Sequence, residues 1–151
     1  MASQWTYPYI LDTVRTTLLS HSSAIGVDPS AIVEDAEGVR QSLAPPFVVV
    51  TATPQETDLR DASEKILQNN LDLIVFAGVE SKEDTATATR EAIALAGRIL
   101  RVFDNARDSS DLFAEIFTAN APIEYVGRWS DKTIVSLHFT VPFTPFADLL
   151  S

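Results

Sequence analysis

The stretch from 71 to 103 constrains the fold more than any other part of the chain, because it joins a strand pattern directly to a helix pattern. The run LDLIVFAGV (71–79) is largely apolar at both odd and even positions, which is typical of a central strand covered on both faces. Residues 85–103 carry apolar side chains every three or four positions, which predicts a helix with one buried stripe. A strand followed by such a helix indicates a sheet with helices packed on it.

The junction between this strand and this helix, AGVESKEDTAT, lacks the features of a phosphate-binding loop. Such loops use several glycines, so that backbone N–H groups can approach the anion, usually together with a lysine. This junction offers only Gly78, and it places Glu80, Glu83 and Asp84 nearby, where three carboxylates would repel a phosphate. We therefore interpret it as scaffold, with a capping box from Ser81 to Asp84 at the start of the helix.

The other elements in the first half of the chain follow from similar patterns. Apolar residues at helical spacing predict a helix over 8–21. β-branched residues bounded by prolines predict a strand over 47–53, and the chain is expected to be extended over 66–79. The stretch 28–46 is ambiguous, because its opening Asp-Pro pair favours a short helix that Gly38 would soon end.

The C-terminal third is predicted to form a short helix and a hairpin. The helix covers 109–117 and is capped by Ser109 or Ser110. The hairpin turns at SDKT (130–133), and one face of its first strand is predicted to carry Ile123, Tyr125 and Trp129. In its second strand, apolar and polar residues alternate, with Val135, Leu137, Phe139 and Val141 on one face and Ser136, His138 and Thr140 on the other.

This order of elements predicts an α+β fold, with a mixed, mainly antiparallel sheet of about four strands packed on one face by two helices. Apart from the long helix, the connections are expected to be too short for parallel crossovers. No repeat, linker or change in composition divides the chain, so residues 1–151 are predicted to form a single domain. The N-terminal stretch 1–7 and the C-terminal tail 143–151 lie outside the predicted elements, where they could act as extended contact arms.

Composition excludes several classes of function. The chain has 151 residues and no Cys, which removes disulfides, thiolate metal sites and cysteine nucleophiles. Its 21 acidic residues outnumber 11 basic ones, and this balance opposes adhesion to nucleic-acid phosphates. The N-terminus lacks the basic region of a signal peptide, and no run of about 20 apolar residues could span a membrane. We therefore expect a protein made and kept in a cytoplasm, without membrane contact.

No residue pattern indicates catalysis, a cofactor or a metal, and the chain is expected not to be an enzyme. The two histidines, His21 and His138, show no partner by spacing, and the motifs of serine hydrolases and zinc proteases are missing. The window 104–115 resembles a calcium loop only in part, because Ala106 and Ser109 stand where a ligand oxygen and a turn glycine are needed.

Two groups of residues are candidates for contacts with a subunit or partner. In the polar segment 54–64, Asp58 and Asp61 flank Arg60; they form either a solvated, salt-bridged turn or a charged contact surface. Aromatic residues also lie near both termini, where they pack either on this chain's own core or on a neighbouring subunit. The candidates of this second group are Trp5, Tyr7, Phe143 and Phe146, with Tyr9 beside them.

A family resemblance follows from the order of these segments. The segment SSDLFAEIFTANAPIEYVGRWSDKTIVSLHFTVPF, after a central strand and a long helix, resembles the C-terminal half of tail terminator proteins of long-tailed bacteriophages. The lambda-like tail completion or minor tail proteins are the most similar group. The strands APPFVVVTATPQE and ILQNNLDLIVFAG and the helix ILDTVRTTLLS fit the same pattern, so the resemblance covers about residues 8–142. It rests on a pattern of elements, and the tail TPFADLLS departs from it.

The resemblance implies a structural virion protein. Members of that family form a hexameric ring on the tail tube protein, stop its polymerisation and join it to a head connector or stopper, while genomic DNA passes through the channel without specific binding. Such a protein is assembled in the host cytoplasm and resides in the virion. One alternative is another neck protein, namely a connector, a stopper or a contractile-tail completion protein. An alternative of another class is a small ligand-binding regulatory α+β domain.

Overall fold

The computed structural model describes residues 6–34, 44–54, 69–80, 84–118, 123–129 and 132–143. The helices are α1 (Tyr7–Ser20), α2 (Ser22–Ile25), α3 (Thr85–Ala106) and α4 (Asp111–Thr118). The strands are β1 (Ile32–Glu34), β2 (Phe47–Pro54), β3 (Asn69–Glu80), β4 (Ile123–Trp129) and β5 (Lys132–Phe143).

The strands form one sheet in the order β1-β2-β3-β5-β4. β3 pairs antiparallel with β2 on one side and with β5 on the other, and β4 pairs antiparallel with β5. Only β1 is parallel to its neighbour. The predicted α+β class with a mixed, mainly antiparallel sheet is therefore confirmed, with five strands where about four were expected.

The additional strand, β1, lies in the stretch that the sequence left ambiguous. Asp28 accepts a hydrogen bond from the backbone N–H of Ser30 at 2.9 Å and caps a single 3-10 turn, Pro29–Ala31. The chain then runs parallel to β2, with Ile32 paired to Val48. The expectation that only the long helix allows parallel neighbours was wrong here, because the connection over 35–46 also joins two parallel strands.

Helix α1 forms because one stripe of its residues is apolar and its first turn is capped. The Thr6 hydroxyl accepts a hydrogen bond from the backbone N–H of Tyr9 at 3.3 Å, and Pro8 occupies the first turn, where its missing N–H costs nothing. The buried residues are Ile10, Leu11, Val14 and Leu18. Beyond α1, Gly26 ends the short helix α2 in the left-handed conformation, with φ of 84°.

Helix α3 begins at a different cap from the one predicted. Asp84 itself is the N-cap, since its carboxylate accepts hydrogen bonds from the backbone N–H of Ala86 at 3.0 Å and the hydroxyl of Thr87 at 2.7 Å. These bonds, with that of Thr87 first, lower the pKa of Asp84 below its ordinary value. Ser81, the predicted cap, lies outside the described residues.

The main core lies between the helices and one face of the sheet. Phe103 of α3 is at its centre, because its ring lies 5.1 Å from that of Phe113 in α4 and 5.8 Å from that of Phe139 in β5. Every second residue of the central strands faces this core, and the buried members include Val48, Val50, Leu71, Leu73, Val75, Ala77, Val135, Leu137, Phe139 and Val141. The alternation predicted for β5 is therefore confirmed, and α4 joins the two expected helices on this face.

A second, smaller core lies on the opposite face of the sheet. Phe47, Val49 and Ile134 are buried there. Phe47 is the register partner of Gly78, and a Cβ atom on Gly78 would overlap the ring of Phe47. Gly78 is therefore needed for packing an aromatic ring across β3, which agrees with interpreting its surroundings as scaffold.

The hairpin contains a bulge that the sequence pattern did not predict. Gly127 has a φ of 105°, and the register of β4 against β5 shifts between Tyr125 and Gly127. Tyr125 is paired with Val135, which faces the main core. Trp129 is paired with Lys132, which lies an odd number of residues from Val135 and therefore belongs to the opposite face. The prediction that Ile123, Tyr125 and Trp129 share one strand face is therefore wrong, because a bulge interrupts the period of two.

Replacing Gly78 tests the packing of Phe47. We expect Gly78→Ala to lower the free energy of unfolding by about 1–3 kcal/mol, because the new methyl group meets a fully buried ring. In a Phe47→Leu background the loss should be smaller, which a double-mutant cycle by chemical denaturation would measure. Gly97→Ala is the matched control, because no atom lies within 4 Å of a Cβ at that position. Equal effects of the two alanines would contradict this packing.

The cap of α3 predicts a pH dependence of stability. Because the pKa of Asp84 is lowered in the folded state, its contribution is present above the unfolded pKa and is lost as pH falls through the folded one. We expect Asp84→Ala to lower the unfolding temperature at neutral pH, and this difference to shrink in acid as the pH falls through the folded-state pKa of Asp84. Asp12→Ala removes an exposed carboxylate of α1 that bonds to no described residue, and should have little effect at either pH. If Asp84→Ala lowers the unfolding temperature as much in acid as at neutral pH, the charge of Asp84 does not contribute to the cap.

Candidate functional site

The face of the sheet opposite the helices is the principal candidate surface, and we call it the far face. Helices α1, α2, α3 and α4 all contribute to the main core, so they lie together on the other side. The far face carries the remaining alternate residues of β2, β3 and β5. Besides the second core, these include Thr51, Thr53, Asp72, Ile74, Phe76, Ser136, His138 and Thr140.

Burial on the far face changes from one end to the other. Towards one end Phe47, Gly78 and Ile134 lie in one row across three strands and are all buried. At the other end the row is Thr53, Asp72 and Thr140, in which both threonines are exposed and Asp72 is half-buried. Between them lie the half-buried side chains of Ile74 and Phe76. Beyond the buried row, Glu80 is exposed and its strand partner Lys132 is buried. The far face is therefore closed and apolar at the row of Phe47 and accessible and polar at the row of Asp72.

A serine–histidine pair lies in the middle of the far face. The Ser136 hydroxyl and Nε2 of His138 are 2.9 Å apart, because residues two apart on a strand point to the same side. No partner was predicted for His138, although the spacing of two residues from Ser136 could have indicated one. Ser136 has no exposed surface, so its oxygen cannot reach a substrate in this conformation. The contact therefore satisfies two polar groups rather than presenting a nucleophile.

The other histidine also has a local partner. Nδ1 of His21 lies 2.9 Å from the carbonyl oxygen of Thr17, at the C-terminal end of α1. His21 is exposed, and it lies far along the chain from His138 in the helix layer. Each histidine is accounted for by a neighbour on its own element.

Tyr7 lies in a regular element, contrary to the expectation for the terminal aromatic residues. It is the first residue of α1, and its side chain packs partly buried against the main core. Its hydroxyl donates a hydrogen bond of 3.0 Å to the carbonyl of Ala52 in β2. Ala52 lies beyond the part of β2 that pairs with β1, which ends at Val50. Tyr7 thus ties α1 to the sheet where β1 has ended.

The remaining contact candidates are distributed differently. Tyr9 is also part of α1, and its side chain is 48% exposed. Phe143 is the last residue of β5 and is paired with Asn69, so it too belongs to a regular element. Five candidates lie outside the described residues, namely Trp5, Asp58, Arg60, Asp61 and Phe146.

Two shallow clefts occur on the helix side. One, of about 320 Å³, lies beside α3, where Nε of Arg98 donates a hydrogen bond of 2.7 Å to the carbonyl of Ile25 and so caps α2. The other, of about 360 Å³, lies between α1 and the turn from α3 to α4. Two of its hydroxyls are bonded within α1: Thr17 donates to the carbonyl of Thr13 at 2.8 Å and Ser20 donates to the carbonyl of Thr16 at 3.0 Å. Neither cleft contains a buried polar side-chain atom without a partner among the described residues, which is the kind of group that would orient a small ligand.

The window that partly resembles a calcium loop forms the end of one helix and the start of the next. Asp104 belongs to α3 and forms an ion pair with Arg107 at 3.2 Å, and Asp111 begins α4. Within the described ranges, no group of three or more acidic or histidine side chains is placed to hold a metal ion.

Comparison with known proteins gives no family assignment: no protein-family model matches the chain, and no curated protein does either. Among the described helices, none combines the length and apolar character that a membrane crossing requires.

The Tyr7 hydrogen bond predicts a measurable stability loss. We expect Tyr7→Phe to lower the free energy of unfolding by about 1 kcal/mol, because the Ala52 carbonyl loses its donor while the ring stays packed. Tyr9→Phe is the control, since the Tyr9 hydroxyl bonds to no residue in the described part of the chain and should cost nothing measurable. If chemical denaturation gives the two variants equal stability, the hydroxyl of Tyr7 does not hold α1 on the sheet.

Proposed function

We propose that this chain is a tail terminator of a long-tailed bacteriophage. In this proposal it is a structural virion protein that forms a ring on the tail tube, ends tube polymerisation and joins the tube to a head connector or stopper. Support comes first from the resemblance of the whole order of elements, and second from the one-sided α+β sheet on which those elements are arranged.

The observation that carries the proposal is the separation of the two sheet faces. A subunit of a ring around a channel needs one surface towards the lumen and another towards the outside. Here all the described helices cover one face, while the far face is built from the long strands β3 and β5. Twelve strand residues span about 40 Å, and the accessible part of the far face, around Thr53, Asp72 and Thr140, is the part that would face a lumen.

The charge of the chain fits a channel that DNA passes without adhering. Asp72 lies at the accessible end of the far face, and the chain as a whole has 21 acidic against 11 basic residues. Carboxylates repel DNA phosphates within a Debye length of roughly 8 Å at physiological salt. A lumen of this character would prevent the counterion release that makes DNA binding favourable.

The alternatives have less support. A connector, stopper or contractile-tail completion protein shares the absence of catalytic motifs, and position in the particle distinguishes it from a terminator. A ligand-binding regulatory domain would need a pocket with converging polar groups. The clefts beside α3 and α1 are shallow, and the polar groups named in them bond within this chain.

Electron microscopy with light scattering tests the proposal over a concentration series of the purified chain. We expect closed rings of six copies with an open channel, and a mass six times the 16.5 kDa of one chain. A two-fold dimer or an open filament at every concentration would contradict a terminator. A chain that stays monomeric would shift support to the connector and ligand-binding alternatives.

The orientation of the far face has its own test in the same rings. Asp72→Arg should make the rings retain duplex DNA, with affinity at least about tenfold higher than that of wild type and falling steeply with salt. Asp12→Arg places the same charge on α1, on the other side of the sheet, and should not. Equal retention by both variants would mean that the far face does not line the channel.

A further inference from the structure

One exposed stripe of α3 differs from the rest of the surface. Its members follow one another at helical spacing and are all exposed, and we call them the α3 stripe: Arg90, Ile93, Ala94, Gly97 and Arg101. Ile93 is 44% exposed, and among the side chains whose burial the structure describes, Tyr9 is the only other large apolar one with comparable exposure. The stripe therefore combines a centre of apolar and small residues with an arginine at each end.

Gly97 has no role in the packing of this chain. A Cβ atom at this position would meet no atom within 4 Å. A glycine in the middle of a helix costs about 1 kcal/mol relative to alanine, so its presence here is not explained by the fold of the chain. A residue without a side chain does allow another surface to approach the helix backbone closely.

The arginines of the stripe also lack a partner within the described residues. Neither Arg90 nor Arg101 forms a hydrogen bond or an ion pair there, whereas Arg98 caps α2 and Arg107 pairs with Asp104. Apart from these two arginines, the chain carries 21 acidic residues against nine basic ones. The two charges of the stripe are thus opposite in sign to most of the rest of the chain.

From these observations we infer that the α3 stripe is a docking surface for the acidic surface of a second copy of this chain. Charge complementarity favours this occupant, because every copy exposes carboxylates away from the stripe, among them Asp12, Asp28 and Glu80. Two stripes cannot dock on each other, because four arginines would then be brought together. The contact is therefore head-to-tail, joining two different patches, which is the type of contact that builds rings or filaments.

The first test uses a substitution that stabilises the fold while blocking the contact. Gly97→Gln adds a good helix former to an uncrowded position and should raise the unfolding temperature by about 2 °C. The same side chain should weaken self-association at least tenfold, measured by sedimentation velocity over a concentration series. If Gly97 served only the fold of the chain, Gly97→Gln would change the unfolding temperature but not the self-association.

The second test addresses the charges. Arg90→Glu with Arg101→Glu should weaken association at least 100-fold without changing the unfolding temperature, and association of the wild type should weaken as salt rises. Arg15→Glu makes the same type of change on an exposed site of α1 and should leave association unchanged.

Several outcomes would overturn the inference: a wild type that is monomeric at all concentrations, stripe variants that associate as tightly as wild type, or a stripe that binds duplex DNA and no second copy. The results also separate this inference from the tail-terminator proposal. Association into open chains that depends on the α3 stripe would support this inference and contradict the tail-terminator proposal. Six-membered rings formed by every stripe variant would support the tail-terminator proposal and contradict this inference.

Discussion

The pairing of β3 on both of its edges is the constraint on which the rest of the structure depends. β3 pairs with β5 over its full length of Asn69–Glu80 and with β2 over Leu71–Gly78, so its backbone groups are satisfied on both sides. Its alternate residues Leu71, Leu73 and Val75 are therefore fixed on one face, and that face must be covered. Helices α1, α3 and α4 cover it, and the aromatic contacts of Phe103 join α3 to α4 and to the sheet.

The same pairing gives the far face its graded character. Because the register is fixed, Gly78 comes opposite Phe47, and the ring can cross β3 only where no side chain stands. Six residues earlier on β3, Asp72 stands between two exposed threonines. The row of Phe47 is thus fixed by packing, whereas the row of Asp72 is accessible to another molecule.

The elements that could be predicted from the sequence are those with a clear periodic pattern within their own residues. The spacing of Ile10, Val14 and Leu18 predicts α1 without knowledge of its partner, and the alternation in β5 is equally local.

β1 could not be predicted, because three residues are too few for a period and its stability comes from pairing with β2. The bulge at Gly127 was missed because glycine alone does not reveal a positive φ. Of the contact candidates, Tyr7 lies in a helix because Thr6 caps α1, which begins one residue before the predicted start at position 8.

The surfaces outside the core differ most in charge. On the exposed side of α3, between Arg90 and Arg101, no exposed acidic residue occurs, although acidic residues dominate the chain. A surface that served only solubility would not separate the two signs in this way, because interspersed charges achieve it without local repulsion. Separation is useful where one patch of a molecule must recognise a different patch of an identical molecule. In the ring that we propose, the arginines would be neutralised at each contact between subunits, and the remaining carboxylates would set the charge of the channel.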